Sequence, residues 1–226
     1  MQPKLRILFL SQYFPPEMGA PSARTFELAR KWTQEGHSVT VVTAFPNHPT
    51  GVIPPEYPQH VYKQETNGDI NVIRTYIYPV ANKGFFKRIL SYLSFMFSSV
   101  LLGPWKTGPV DVIIATSPQF FVAVAGYLMS IIKWKPFIFE VRDLWPESIV
   151  QRGQLKNRTI IRLLESIEVF LYRKAKAVVV VTESSVPIIE QKGIVREKLH
   201  IIKNGVDLEL FKPADSKAAL RKSLGL

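Results

Sequence analysis

The residues best suited to chemistry fall in three loops. Arg142-Asp143-Leu144-Trp145-Pro146-Glu147-Ser148 sets two carboxylates, a guanidinium and an indole directly after the apolar run Phe137–Val141. Asp143 could accept a proton from a hydroxyl there and Arg142 could pair with a phosphate, with Trp145 and Glu147 beside them. An Arg–Asp pair plus a helix-capping carboxylate is the plainer reading of the same residues. A second loop, Pro15-Pro16-Glu17-Met18-Gly19-Ala20, precedes a helical pattern in which Arg24 lies one turn along. Gly19 would let backbone approach an anion at the helix start, although an ordinary strand-to-helix turn reads the same way. Gly19 lacks the partner glycines of a dinucleotide fingerprint, and no P-loop occurs. The third loop, Phe45 to Gly51, offers Asn47 and His48 as contact candidates. His37, His60 and His200 have no ligand partner at helix or hairpin spacing, so no metal site is readable.

These loops need strands and helices to hold them. Leu5 to Leu10 reads as a strand, Ser22 as the cap of a helix running to Glu35, Gly36 as its stop, and Val39 to Thr43 as the next strand. Asp111 to Ala115, Phe137 to Val141, Ala177 to Val181 and Leu199 to Ile202 read as further strands. Helical patterns over Gln119 to Ile132, Asn157 to Arg173 and Ser184 to Lys192 alternate with them. In the Asn157 helix, Ile160, Ile161, Leu164, Ile167 and Leu171 fall at helical spacing. Val61 to Tyr78 reads as a hairpin turning at Asn67-Gly68. Strand–helix alternation of this kind predicts a doubly wound α/β domain with a parallel sheet, buried on both faces. In such a sheet the ligand crevice lies beyond the carboxyl ends of the strands, where all three loops fall.

Composition narrows the partners. The 226 residues are 46% hydrophobic and 21% charged, which excludes a disordered or collagen-like chain. With no cysteine there is no disulfide framework, thiolate zinc site or cysteine nucleophile. A net charge of +11 predicts an anionic partner: nucleic acid, acidic lipid or a phosphorylated substrate. The amino-terminal apolar run is too short for a secretory h-region, so the chain is expected to fold in the cytoplasm.

Ile70 to Val110 carries Arg74, Lys83, Lys87, Arg88 and Lys106 but no Asp or Glu. Within it Ile89 to Trp105 is uncharged and apolar, at the lower limit for a bilayer span. Cations flanking an apolar helix fit one lying in a membrane interface, with Phe85, Phe86, Lys87 and Arg88 as contacts. A buried core helix fits the segment equally well.

Four stretches in order, ILFLSQYFPPEMGAPSARTFELARKW, EGHSVTVVTAFPNHPTG, FEVRDLWPES and IIKNGVDLELFKP, resemble glycosyltransferase family 4, amino-terminal domain, of the WbuB-like bacterial sugar transferases. The resemblance covers essentially the whole chain. It implies a Rossmann-like half of a GT-B enzyme, with residues 1–203 as the acceptor-binding domain. Residues 204–226, starting at Asn204-Gly205, would be the interdomain linker and the start of a truncated second domain. Gly19 and Ala20, with Arg24, match the loop near the donor diphosphate; relatives carry a second glycine where this chain has Ala20. Arg142 and Asp143 match the segment beside the acceptor hydroxyl, where many relatives have a histidine. The family transfers sugar with retention and without metal, so no cofactor is expected beyond a nucleotide-sugar donor. Asp207-Leu208-Glu209 is the nearest approach to Asp-X-Asp and reads as linker.

The resulting expectation is the acceptor-binding half of a hexosyl- or N-acetylhexosaminyltransferase of bacterial cell-surface polysaccharide synthesis. It would take a lipid-linked or oligosaccharide acceptor, sit peripherally on the inner face of the plasma membrane, and be inactive as an isolated fragment. The alternative is a catalytically inactive membrane- or glycan-binding α/β module. A nucleic-acid binder rests on charge alone and has no motif behind it.

Overall fold

A computed structural model describes residues 3–57, 60–81, 84–205, 221–222 and 224–225. Eight strands form one sheet in the order β3-β4-β2-β1-β5-β6-β7-β8. They are β1 (Arg6–Leu10), β2 (Ser38–Ala44), β3 (Tyr62–Asn67), β4 (Ile70–Thr75), β5 (Val112–Thr116), β6 (Phe137–Val141), β7 (Ala177–Val180) and β8 (Leu199–Ile201). All neighbours are parallel except the hairpin pair β3–β4, which turns where Gly68 adopts φ 58°. The chain runs outward one way through β2 and β4, then returns past β1 to start β5. That reversal beside β1 is the switch point at which open α/β sheets bind ligands.

Side-chain alternation along the strands builds the core. Ile7 and Phe9 of β1, with Val39 and Val41 of β2, pack on α1 (Ala20–Gln34) through Phe26, Ala29 and Trp32. Leu8, Leu10, Val42, Ile113 and Ala115 face the other way, into the larger core under α2 (Phe85–Lys106) and α3 (Phe120–Lys133). That second layer continues through α4 (Glu147–Gln151), α5 (Arg158–Lys174) and α6 (Ser185–Gln191). Each fully buried Val, Leu, Ile or Phe among these is worth about 1.5–3 kcal/mol in transfer free energy. Two close approaches fix the layer spacing. A Cβ on Gly126 would stand 2.6 Å from the Ala115 side chain, and one on Gly103 would stand 2.6 Å from Met129.

The structure moves three helix starts read from the sequence. Ser22 does not cap α1: the helix starts at Ala20 with Gly19 as its cap, and Ser22 is buried in the first turn. Pro21, whose ring presets φ and which has no N–H to satisfy, suits the opening turn and moves the start upstream. Along α5, Leu164, Glu168, Leu171 and Tyr172 are buried, while Ile160 at its start is exposed. Gln119 and Asn157, read as first helical residues, instead cap α3 and α5, their side chains accepting hydrogen bonds from Val122 N and from Thr159 and Ile160 N.

The apolar segment after residue 84 forms a helix, α2, that is buried on one side and exposed on the other. One side of α2 buries Phe95, Met96 and Ser99 against the core, while Phe86, Leu90, Phe97, Leu101 and Trp105 are exposed. Among the described residues no helix is long and apolar enough to cross a membrane. Of the expected linker, residues 206–220, including Asp207, Leu208, Glu209, Phe211 and Pro213, lie outside the described residues, as do residues 223 and 226.

Candidate functional site

The loops that follow β2, β1, β5 and β6, adjacent strands in the sheet, meet along one rim. Gly19, at φ 131° and ψ 162°, ends the first loop and leaves the first turn of α1 without a side-chain cap. Only glycine enters that backbone region at little cost. Ser22, next to it, has a buried Oγ with no hydrogen-bond partner in the protein.

Glu17, in the same loop, reaches across to the β2 loop. Its Oε1 accepts hydrogen bonds from the backbone N–H groups of Asn47 (2.8 Å) and His48 (2.9 Å). Burial pushes the Glu17 carboxyl above its ordinary value, opposed by those two amides and by Arg74. Arg74 is itself buried, donating to Glu65 and to the carbonyls of Ala44 and Pro15. Gly51 closes this loop because a Cβ there would lie 2.0 Å from the backbone N of Ala81. The loop thereby presents His48 against the Tyr13 ring at 5.4 Å. Burial lowers the His48 pKa and raises that of Tyr13, whose hydroxyl also meets Tyr92 of α2.

At the end of β5, Ser117 Oγ accepts from the backbone N–H of Arg142 (2.7 Å) and of Asp143 (3.3 Å). One buried hydroxyl thus sets the start of the β6 loop. Asp143 is exposed and lines a cavity of about 120 Å³ with Arg88, Tyr92, Trp145, Ser148 and Arg152. Arg88 and Tyr92 also line a smaller cavity of about 30 Å³ with Gln12, Tyr13, Asn47 and His48. The candidates Asp143, Trp145, Asn47 and His48 therefore share one groove, with α2 as its far wall. Trp145 is mostly wall: its ring stacks on Phe120 at 5.4 Å and 8°.

Other candidates are engaged elsewhere. Arg24 meets Glu140, with Nη2–Oε1 at 2.5 Å, and donates to Asn204 Oδ1 (2.9 Å) and the Ile202 carbonyl. In place of a free phosphate ligand, Arg24 is the neutralising partner of a buried carboxylate and ties Asn204 to the rim. Losing it would leave Glu140 buried and uncompensated, at a cost of about 3–5 kcal/mol. Gly205 is exposed beyond it. Glu147 accepts from Lys192, the residue capping α6, and it is absent from the lining of either groove cavity. The short helix α4, invisible in the sequence pattern, turns it away from Asp143. Arg88 is not on the outward stripe of α2 but in the groove, its Nη2 donating to Gln154 Oε1 at 2.8 Å. Lys87 and Phe86 are exposed, and the Phe85 side chain lies outside the described residues.

Glu17, Ser117, Glu140, Tyr13 and Tyr92 were missed by sequence reasoning. The one signal available was Glu140, a carboxylate inside an otherwise apolar strand. Buried polar atoms without a protein partner gather along this rim: Gln12 Oε1, Glu17 Oε2, Ser22 Oγ, His48 Nδ1, Gln119 Nε2, Glu140 Oε2 and Arg142 Nη1. Burial lowers the pKa of the Arg142 guanidinium, with Glu140 opposing. Natural interiors satisfy nearly all such atoms, so these rim atoms are available to water or to a ligand. Among the described residues no group of three or more His, Cys, Asp or Glu gathers as a metal set.

Comparison with known proteins agrees with this architecture. The chain is 25% identical over 229 residues to the putative colanic acid biosynthesis glycosyl transferase WcaI of Escherichia coli K12, covering 98% of this chain and 56% of that protein. Among solved structures it is similar to Anabaena HepE, crystallised with UDP and glucose, at TM-score 0.59 and 20% identity over 98% of this chain and 50% of that one. Sucrose-phosphate synthase of Thermosynechococcus elongatus aligns at TM-score 0.65 and 14% identity, over 99% and 53%. The chain thus spans about half the length of the relatives it matches, and those structures share its Rossmann-like GT-B fold. The sequence signature of Glycosyltransferase Family 4 matches residues 22–210, most of the chain: it belongs to that family.

Proposed function

We propose that this chain is the acceptor-binding half of a retaining, nucleotide-sugar-dependent glycosyltransferase of bacterial cell-surface polysaccharide synthesis. The carrying observation is the row of unsatisfied buried polar atoms along the carboxyl rim, beside a groove that Asp143 enters. In this reading Asp143 takes the proton of the acceptor hydroxyl as the glycosidic bond forms. Asn47, His48 and Trp145 bound the acceptor, and Arg142 adds positive charge near the leaving diphosphate. Gly19 and the uncapped turn of α1 approach the donor phosphates, with Arg24 and Asn204 holding the rim toward a second domain. HepE binding UDP and glucose supports a uridine nucleotide sugar as donor, with hexosyl or N-acetylhexosaminyl transfer. WcaI, named for colanic acid biosynthesis, supports a role in polysaccharide assembly; in this reading the acceptor is lipid-linked or an oligosaccharide, and transfer takes place at the inner face of the plasma membrane. No metal cofactor is proposed: transfer should persist in chelator. Duplex DNA is not among the proposed partners.

The test is transfer of radiolabelled sugar by a protein joining this chain to a second GT-B half. Asp143→Asn should lower kcat by about 10² or more at unchanged folding, the usual weight of a positioned base. A rate within a factor of two of wild type would remove Asp143 from the chemistry. Turnover by the 226-residue chain alone would remove the division of labour. The exposed stripe on α2 favours a second reading, a membrane-docking module without catalysis, which absence of transfer in every arrangement would support.

A further inference from the structure

We infer that the amino edge of the sheet, where α2 and α3 end together, holds a site for the phosphate headgroup of an anionic phospholipid, met by Lys135 and Arg6. The inference stands apart from the transferase reading, since a lone chain can bind lipid without a donor or a second domain. Arg6 opens β1, Val110 precedes β5 and Lys135 precedes β6, so the site lies at the opposite end of the strands from the rim. The close contact of Gly103 with Met129 sets the two helix ends side by side. Arg6, Trp105, Ile132, Lys133 and Lys135 line a cavity of about 270 Å³ there. That lies just under the roughly 300–1,000 Å³ of pockets that enclose a whole small ligand, so the cavity admits a headgroup and leaves acyl chains outside.

The bonds already made at the cavity show what an anion would meet. Asp111 is the only carboxylate between Asp69 and Glu140. Arg6 neutralises it through Nε and Nη2, at 3.0 and 2.6 Å, which leaves Nη1 for another acceptor. Lys133 donates to the Gly108 carbonyl (2.5 Å), just past the end of α2, where a helix dipole favours a cation. Burial lowers the Lys133 pKa, so an anion beside it would favour the charged form. The Lys135 side chain is exposed and makes no hydrogen bond or ion pair among the described residues, feeling Asp111 only through space.

What surrounds these cations distinguishes lipid from a soluble phosphate ester. Trp105 is 78% exposed, and Trp134, between the two lysines, is 90% exposed. Trp134 takes φ 53° as the cap of α3, a left-handed position that normally falls to glycine or asparagine. An indole held there in water gains nothing by burial, whereas at a membrane interface indole is a favoured side chain. Leu101, one turn before Trp105, and Leu128, one turn before Ile132, extend exposed apolar surface from the cavity along both helices. Neither α2 nor α3 contains an acidic residue, so nothing on either helix repels an anionic surface.

Co-sedimentation of the 226-residue chain with vesicles tests this, using phosphatidylcholine alone, phosphatidylcholine with about one-third phosphatidylglycerol, and soluble glycerol 3-phosphate as competitor. The mixed vesicles should bind at least about tenfold more tightly than the neutral ones, and lipids brominated along their chains should quench tryptophan fluorescence. Lys135→Ala should weaken binding about fivefold, the worth of one lysine near an anionic surface, and Trp105→Ala by a similar factor. Both side chains are exposed, so folding should survive either change. Lys31→Ala removes an exposed charge from α1, on the other face of the sheet, and should change affinity by less than about twofold. Four results would overturn the proposal: equal binding to neutral and mixed vesicles, no quenching by brominated chains, equal weakening by Lys31→Ala, or displacement by glycerol 3-phosphate, which would make the ligand a soluble phosphate ester. Self-association that covers Trp105 and Trp134 without lipid would overturn it in favour of a second copy of the chain. None of these outcomes bears on sugar transfer, so the transferase reading stands or falls by its own assay.

Discussion

At the scale of single residues, the rim is held by backbone that few side chains tolerate and by bonds between distant positions. Gly19 sits at φ 131°, ψ 162°, with only Pro21 Cδ within 4 Å of a hypothetical Cβ, so the constraint is torsional and not crowding. Gly19→Ala should cost about 1–3 kcal/mol, lowering Tm by several degrees, and shift the cap of α1. A melting curve overlapping the wild type would mean that the loop relaxes freely. Glycine in that loop was legible in the sequence, because a strand-to-helix turn at a ligand edge calls for it. Glu17 was not legible as an anchor, since its partners are the amides of Asn47 and His48, some thirty positions away. The Arg24–Glu140 pair joins residues 116 apart, and no local pattern could announce it. A cation one turn into α1 reads as a phosphate ligand until the fold brings a buried carboxylate to meet it.

At the scale of elements, strands and long helices were readable because their apolar periods are strong; boundaries moved by one or two residues at most strands. The five residues of α4 carry too short a pattern to register, and that omission misplaced Glu147. In the structure α4, α5 and the end of α6 are joined by charge: Lys192, which caps α6, donates to Glu147 and to Glu168, at 2.6 Å for the latter, and Tyr172 donates to Glu168 at 2.7 Å. Burial drives the Glu168 pKa from 4.5 up to about 7, although Lys192 and Tyr172 pull it down. A folded-state pKa above the unfolded value means that the native state holds its proton longer. Stability from this group is then full below about pH 4.5 and declines as pH rises toward 7. Thermal melts of wild type and Glu168→Gln from pH 4 to 8 should show the wild type losing ground to the variant across that window. Parallel curves would mean that Lys192 fully compensates the buried carboxylate.

At the scale of the whole molecule, α2 turns one face to the groove and leaves an apolar stripe exposed on its other face. Phe86, Leu90, Phe97, Leu101 and Trp105 run the length of α2, from the groove to the opposite end of the sheet, with Lys87 and Lys106 at its two ends. Monomer surfaces seldom expose such a continuous stripe without a partner, and +11 on the chain favours an anionic one. The chain should therefore float with vesicles containing anionic phospholipid and stay in solution with neutral ones. Raising salt should weaken the association as the Debye length shrinks from about 10 Å at 0.1 M to about 3 Å at 1 M. Leu101→Ser with Trp105→Ser removes apolar contact at exposed positions far from the groove, so folding should survive. With full burial of such a side chain worth about 1.5–3 kcal/mol, even partial insertion of both predicts a vesicle affinity at least tenfold lower. Unchanged flotation of the double variant, with Lys87→Glu still reducing it, would mean that charge alone draws the protein to lipid and that the stripe belongs to some other contact.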